Sequence, residues 1–140
     1  MTNRKIEYIV EGQKLQILSH KATVLDACRC MWDCGTGSVL VVDDEERLTG
    51  IFTGRDVVRT LAEGKHAELT PLAEAMTPEP VTIDPDARAV DALRKMNDYG
   101  FRHLPVVQSG KIVGILTRSS FKGMEIDQLD EEIHLWECIR

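Results

Sequence analysis

Residues 22–35 read ATVLDACRCMWDCG and residues 87–100 read ARAVDALRKMNDYG, so the chain carries one pattern twice. Each copy leads into an apolar stretch and then into a second match, GIFT at 50–53 and GILT at 114–117. The identical pairs are Asp26/Asp91, Ala27/Ala92, Arg29/Arg94, Met31/Met96, Asp33/Asp98, Gly35/Gly100, Val41/Val106, Val42/Val107, Gly50/Gly114, Ile51/Ile115 and Thr53/Thr117. A duplicated unit usually packs against its copy. We therefore expect two related clefts, and differences between the copies should indicate which cleft binds a ligand.

The composition is typical of a soluble globular protein, with 43% hydrophobic and 29% charged residues among 140. No apolar run approaches the roughly 18 residues that a membrane helix needs, and the N-terminus lacks the apolar centre of a signal peptide. These features predict a cytoplasmic protein without membrane contact. The net charge of −6 argues against a general nucleic-acid binder, because phosphate neutralisation supplies most non-specific affinity.

The four cysteines do not predict a metal site. Cys28, Cys30 and Cys34 fall on one predicted helix, and Cys138 lies near the end of the chain. A structural zinc site normally takes four ligands from paired knuckles, and this spacing differs. Cys30 and Cys34 share a helical face, whereas Cys28 does not. We expect small buried hydrophobic side chains in a reducing compartment.

Each copy predicts a short extended lead-in, a helix, two strands and a second helix. In the first copy these are about 14–18, 23–34, 38–42, 48–53 and 55–63, with an acidic turn at 43–46. Leu25, Cys28 and Trp32 share one face of the first helix, which predicts that this face is buried. Gly35 should end that helix in the left-handed conformation.

The second copy predicts a lead-in at 81–83, a helix at 88–98, strands at 102–107 and 111–117, and a helix beginning near Ser119. The boundaries give repeat 1 at 10–64, a connector at 65–80 punctuated by prolines, repeat 2 at 81–123, and a separate segment at 124–140. That last segment predicts an amphipathic helix, because its apolar residues recur every three or four positions: Ile126, Leu129, Ile133, Trp136 and Ile139. It could pack on its own domain or against a second subunit.

The motif Gly50-Ile51-Phe52-Thr53-Gly54-Arg55-Asp56 lies where a strand ends and a helix begins. Unpaired backbone N–H groups and the helix dipole favour an anion there. The Thr53 hydroxyl can donate or accept, the Asp56 carboxylate can accept from two vicinal hydroxyls, and Arg55 adds positive charge. Taken locally, helix capping by Thr53 and Asp56 explains the same residues.

The ordered set of matches resembles the cystathionine-β-synthase (CBS) domain in tandem, often called a Bateman module. The resemblance covers about residues 10–123. It rests on the Val-x-Asp-Ala helix, the strand Arg102–Val107 and Gly-Ile-x-Thr, each found in order in the repeats. It implies an α+β fold of two β-α-β-β-α units packed as a pseudo-two-fold disc, with two clefts that commonly bind adenosine-containing ligands.

The resemblance also implies site residues. The family signature Gly-h-x-Ser/Thr-x-x-Asp, in which h is apolar, is complete at Gly50, Thr53 and Asp56. In such pairs the second repeat completes the cleft. The backbone of the lead-in at 81–83 would then hydrogen-bond the edge of the adenine, and Arg102 and His103 at a strand start would face the phosphates. The implied ligand-binding set is Ile51, Thr53, Arg55, Asp56, Val81, Thr82, Ile83, Arg102, His103 and Arg118.

The second copy departs from the signature, because Ser120 stands where the aspartate should be. A serine offers one neutral hydroxyl, and charge-assisted hydrogen bonds are about twice as strong as neutral ones. Gly37 and Ser38, which match Arg102 and His103, also lack a cation. We expect the Asp56 cleft to bind a nucleotide well. The second cleft, at Gly37, Ser38, Thr117 and Ser120, should be weak, empty or occupied by a different ligand.

The sequence shows no nucleophile with a base, no metal cage and no P-loop, so we do not expect an enzyme. The favoured hypothesis is a regulatory sensor that binds AMP, ADP or ATP between the repeats and signals through a conformational or assembly change. NAD(H) or S-adenosylmethionine is an alternative ligand. A dimeric scaffold without a physiological ligand is the alternative function. The resemblance implies a homodimer, and any protein target is unknown.

Overall fold

The computed structural model describes residues 3–121 and shows a mixed α and β fold, as the sequence predicts. Along the chain the elements are α1 Ile6–Ile9, β1 Ile17–Ser19, α2 Val24–Cys34, β2 Ser38–Val42, β3 Leu48–Thr53, α3 Gly54–Ala62, α4 Leu72–Ala75, β4 Thr77–Pro78, α5 Ala89–Tyr99, β5 His103–Gln108, β6 Lys111–Thr117 and a 3₁₀ turn at Arg118–Ser120. The C-terminal helix predicted for 124–140 lies outside the described residues.

The chain divides into two compact units. Residues 14–80 and 110–112 form the first-repeat unit. Among the described residues, 3–13, 81–109 and 113–121 form the second-repeat unit. The segment that precedes the first repeat thus belongs with the second repeat, which the pattern of repeats alone did not predict.

The first-repeat unit is built on a four-stranded sheet in the order β1-β2-β3-β4. β1 runs parallel to β2, and the other neighbouring pairs are antiparallel. Val39, Val41 and Phe52 are fully buried and pack with α2 and α4. Residues 65–80, predicted as a connector, contribute α4 and the edge strand β4 to this unit.

Helix α2 begins and ends as its sequence predicts, but it buries a different face. A reciprocal capping box joins Thr23 and Asp26 at its start, and Gly35 ends it with φ 65°. The buried residues are Val24, Ala27 and Met31, while the Trp32 side chain is 87% exposed. The prediction that Trp32 faces the core is wrong. The core-facing stripe is offset from it by one position and is made of smaller side chains.

The second-repeat unit pairs α5 with the β5–β6 hairpin. The predicted lead-in at 81–83 forms only a single parallel bridge, Ile83 to Val106, rather than a strand. Leu93, Leu104 and Leu116 are fully buried in its core. Where a helix was predicted from near Ser119, the structure shows only a 3₁₀ turn, which ends at Phe121 in an extended conformation.

Candidate functional site

The first-repeat unit places its signature at the junction of β3 and α3, where the sequence puts it. Thr53 is the residue preceding the helix, with φ −125° and ψ 172°, and Asp56 lies one turn later. The antiparallel register places Ser38 opposite Thr53, and the Gly54 N–H points to the Gly37 carbonyl at 3.4 Å. The structure therefore brings Gly37, Ser38, Thr53 and Asp56 together within one unit.

The Asp56 carboxylate is 3% exposed and is fully engaged inside its own unit. One oxygen accepts from the Thr53 backbone N–H at 3.0 Å and from the Thr53 hydroxyl at 3.4 Å. The other accepts from the Thr77 hydroxyl at 3.2 Å and forms an ion pair with Arg59 at 3.0 Å. A ligand hydroxyl that reaches this carboxylate must share or replace one of these bonds.

Two of those partners, Arg59 and Thr77, were missed by the sequence reasoning. Arg59 follows Asp56 by three positions on the same helix, a spacing that favours ion pairs and could have identified it. The Arg59 guanidinium also donates to the Ala75 carbonyl, which joins α3 to α4. Thr77 comes from the predicted connector, and no local signal links it to Asp56.

Two more predicted ligand-binding residues belong to the first signature. Arg55 is exposed at the start of α3, and Ile51 is buried in β3. The Gly50 position permits a close approach: a Cβ there would overlap the Met76 side chain, which follows α4. The junction is therefore held from both sides, by the carboxylate bonds and by packing of Met76 on β3.

In the second-repeat unit, the lead-in residues run beside β5. The Ile83 N–H donates to the Pro105 carbonyl at 3.0 Å, and the Ile83 carbonyl accepts from the Val107 N–H at 3.0 Å. The Thr82 carbonyl already accepts from the Lys95 ammonium at 3.1 Å, an additional cation that sequence reasoning missed. Val81 is partly buried and packs against this unit's core.

His103 is the first residue of β5, one residue later than the predicted strand start, and Arg102 directly precedes it; Arg102 is exposed and His103 is partly buried. Burial lowers the pKa of His103 below its ordinary 6.5, and the adjacent Arg102 guanidinium lowers it further. A neutral imidazole therefore predominates near pH 7 in the free protein. A phosphate beside the ring would favour the charged form and oppose this shift.

The second signature repeats the junction without its charge. The Thr117 N–H donates to the Ser120 hydroxyl at 3.0 Å, the bond that Asp56 accepts in the first copy. The Thr117 hydroxyl lies 2.8 Å from the Ser119 hydroxyl, and Arg118 is exposed. The Arg4 guanidinium donates to the Ser120 carbonyl at 3.1 Å. Serine thus preserves the turn while removing the negative charge.

Metal ligation by carboxylate, histidine or thiol clusters receives no support within residues 3–121, where no group of three such side chains converges. In the same range, none of the helices has the length and apolar character that crossing a bilayer would require. The residues predicted to bind the ligand therefore fall in both units, the first signature in one and the lead-in and strand-start residues in the other. That they meet around one ligand stays a prediction.

Comparison with known proteins gives a family match across both repeats. The CBS domain model matches residues 12–63 and 72–123. A CBS domain-containing protein of Arabidopsis thaliana, CBSCBSPB2, is 38% identical over 104 residues, which is 74% of this chain but only 19% of that protein. The chain thus spans about a fifth of that relative's length.

Solved structures show the same fold. A conserved protein from Pyrococcus horikoshii superposes with a TM-score of 0.77 at 28% identity, covering 86% of this chain and 90% of that one. A CBS domain protein from Pyrobaculum aerophilum, crystallised in complex with AMP, superposes with a TM-score of 0.82 at 19% identity, covering 91% and 99%.

Proposed function

Because the chain belongs to the CBS domain family and carries two copies of the domain, we propose that it is a regulatory module that binds an adenosine nucleotide between its repeats. The ligand is AMP, ADP or ATP. Binding changes the conformation or the assembly of the module, and a protein target reads that change. The complex of the Pyrobaculum aerophilum protein with AMP supports an adenosine ligand for this fold. The module is not an enzyme in this proposal, and its place is the cytoplasm.

The difference between the two signatures carries the proposal. Both copies keep the threonine and the turn, yet only the first keeps a carboxylate, at Asp56. A ribose presents two vicinal hydroxyl donors, which a carboxylate accepts better than a single neutral hydroxyl can. The nucleotide should therefore occupy the cleft of the first signature, with Thr53 and Arg55 beside it.

The second repeat supplies the other half of the proposed cleft. The backbone of 81–83 would read the adenine edge, and Arg102, His103 and Arg118 would face the phosphates. The number of phosphate groups that the cleft can bind depends on the directions of these cationic side chains. AMP, ADP and ATP therefore stay separate candidates. NAD(H) and S-adenosylmethionine carry the same adenosine and are tested beside them.

The alternative function, a dimeric scaffold without a ligand, has one observation in its favour. The Asp56 carboxylate is buried and fully bonded within its own unit, so helix capping and the Arg59 ion pair are a sufficient reason for it. Under this alternative, replacing Asp56 and Arg102 leaves assembly unchanged and no adenosine ligand binds.

Calorimetric titration with AMP, ADP, ATP, NADH and S-adenosylmethionine separates the two functions. The variants are Asp56→Asn, which keeps the size of the side chain but removes its charge, and Asp26→Asn as a matched control. Asp26 occupies the same position in the capping box of α2 and lies outside the proposed cleft. Binding of one ligand that is lost in Asp56→Asn and retained in Asp26→Asn supports the sensor. Folded, nucleotide-free protein that gives no heat with any ligand contradicts it.

A further inference from the structure

Two thiols on α2 converge on one oxygen, outside every residue assigned to the nucleotide. The Cys30 thiol donates to the side-chain carbonyl of Gln16 at 3.4 Å, and the Cys34 thiol donates to the same oxygen at 3.2 Å. The two cysteines are four positions apart, so they lie one above the other on a single helical face. Both sulfurs are therefore held in one small region beside the first strand.

This pair is accessible. Cys34 is exposed and Cys30 is partly exposed, and neither forms a disulfide. Cys28 and Cys30 both pack against the core of the first-repeat unit, but Cys28 makes no hydrogen bond with Gln16 among those the structure describes. The Gln16 backbone is held beside β2, because its carbonyl accepts from the Leu40 N–H at 2.9 Å. Its side-chain oxygen accepts from both thiols, so both sulfurs face the same group.

Two convergent thiols suit a softer metal ion than zinc. Zinc needs four ligands, and the described residues bring no third cysteine, histidine or carboxylate to this pair. Monovalent copper is a soft ion that thiolates select, and it is satisfied by fewer ligands than zinc. The amide oxygen of Gln16 is a hard donor, so its role is to position the sulfurs rather than to coordinate.

We propose that Cys30 and Cys34 form a two-thiolate binding site for Cu(I), independent of the nucleotide cleft. Binding breaks the two S–H bonds and forms two S–Cu bonds, and two protons leave to solvent. No electron is transferred, because copper enters and remains in the monovalent state. Gln16 loses two thiol donors in the process, so copper binding alters the link between α2 and the start of β1.

The test is transfer of Cu(I) from the coloured bicinchoninate complex to the reduced 140-residue chain in the absence of oxygen. The wild-type protein and the Cys28→Ser control should each take one equivalent per chain. Cys34→Ser and Cys30→Ser should lose this transfer. Cys34 is exposed, so its substitution should not disturb folding, and circular dichroism melting checks each variant.

Several results would overturn the proposal. One is full transfer to Cys34→Ser, and another is loss of transfer in Cys28→Ser or in Cys138→Ser. A doubling of the assembly mass with copper would mean that the ion bridges two chains instead of two thiols on one helix. Equal competition by Zn²⁺ would show that the site lacks the softness argued here.

Discussion

The Asp56 carboxylate connects three segments of the first-repeat unit. It accepts from Thr53 at the end of β3, from Thr77 in β4, and pairs with Arg59 in α3. A buried carboxylate with this many donors is a stabilising element whether or not a ligand arrives. Ligand binding and stability must therefore be measured separately at this residue.

Asp56→Ala should lower the free energy of unfolding by about 2–3 kcal/mol, because buried hydrogen bonds to a charged group are lost and their donors are left unpaired. The loss of stability should be smaller than when one partner of a fully buried ion pair is removed. The reason is that the Arg59 side chain is 47% exposed, so water can replace the lost carboxylate. Urea unfolding measures the loss. Asp26→Ala removes an exposed capping carboxylate and should cost less; an equal loss would contradict the importance given to the Asp56 contacts.

His103 should make the folded state sensitive to acid. Its pKa lies below 6.5 in the fold, so the unfolded chain takes up this proton first as the pH falls. The stability difference is therefore absent above about pH 6.5 and grows as the pH drops from there towards the lowered folded pKa. NMR titration of the ring should show the lowered value, and Arg102→Gln should raise it. A pKa at or above 6.5 in the wild type would refute this.

At the scale of elements, the two short helices α1 and α4 are each followed by a residue that packs on a strand glycine, one in each unit. Met76, after α4, packs on Gly50 of β3, and Val10, after α1, packs on Gly114 of β6. The side chain of Gln13 then bonds both the N–H and the carbonyl of Ile115, at 2.8 and 2.9 Å. The segment 3–13 is thus an integral part of the second-repeat unit, as 72–80 is of the first.

The two glycines should differ in their tolerance of a methyl group. A Cβ at Gly114 would lie 2.5 Å from the Cβ of Val10, whose branched side chain is close to the backbone and cannot move away. At Gly50 the obstacle is the flexible side chain of Met76. Gly114→Ala should therefore cost about 1–3 kcal/mol, and Gly50→Ala less. Thermal unfolding of both variants tests this order, and an equal loss of stability in the two would contradict it.

Helix α3 shows why sequence pattern alone assigns faces poorly. It buries the polar residues Asp56 and Thr60, while Val58 and Leu61 are 66% and 65% exposed. The Thr60 hydroxyl is satisfied by the Asp56 carbonyl at 2.7 Å, and the carboxylate has the partners described above. Polar residues can be buried when every donor and acceptor is paired, and this pairing depends on β4 and α4 rather than on the helix itself.

At the scale of the whole molecule, the proposed ligand should stabilise the fold by mass action. A nucleotide at 100 times its dissociation constant adds about 2.7 kcal/mol to the free energy of unfolding. Melting scans with and without AMP, ADP or ATP should show this gain in the wild type and in Ser120→Ala, but not in Asp56→Asn. A gain that depends on Ser120 and not on Asp56 would move the ligand to the second cleft.

The homodimer is a further whole-molecule prediction. If the apolar stripe of 124–140 packs against a second subunit, Trp136→Ala removes its largest side chain and should shift the assembly to monomer. Large aromatic residues often contribute most of the energy of an interface. Light scattering at several concentrations measures the mass. Trp32→Ala is a control at the tryptophan that the structure shows exposed on α2, and an unchanged mass in Trp136→Ala would remove the segment from the interface.

The sequence by itself determined the order of one long helix and two strands in each copy, the bounds of α2, the left-handed Gly35 at its end, and the position of both signatures. These features depend on residues close together in the chain, where periodicity and backbone preference act directly. It also identified the loss of charge at Ser120, since that requires only the comparison of two copies.

Only the tertiary structure decided which face each helix buries, that residues 3–13 complete the second-repeat unit, and that Arg59 and Thr77 saturate Asp56. It also placed Gln16 between Cys30 and Cys34. Each of these depends on segments that lie far apart in sequence or on competition among several apolar faces for one core. Local patterns carry no information about such partners, because the energy of a contact depends on what the rest of the fold brings beside it.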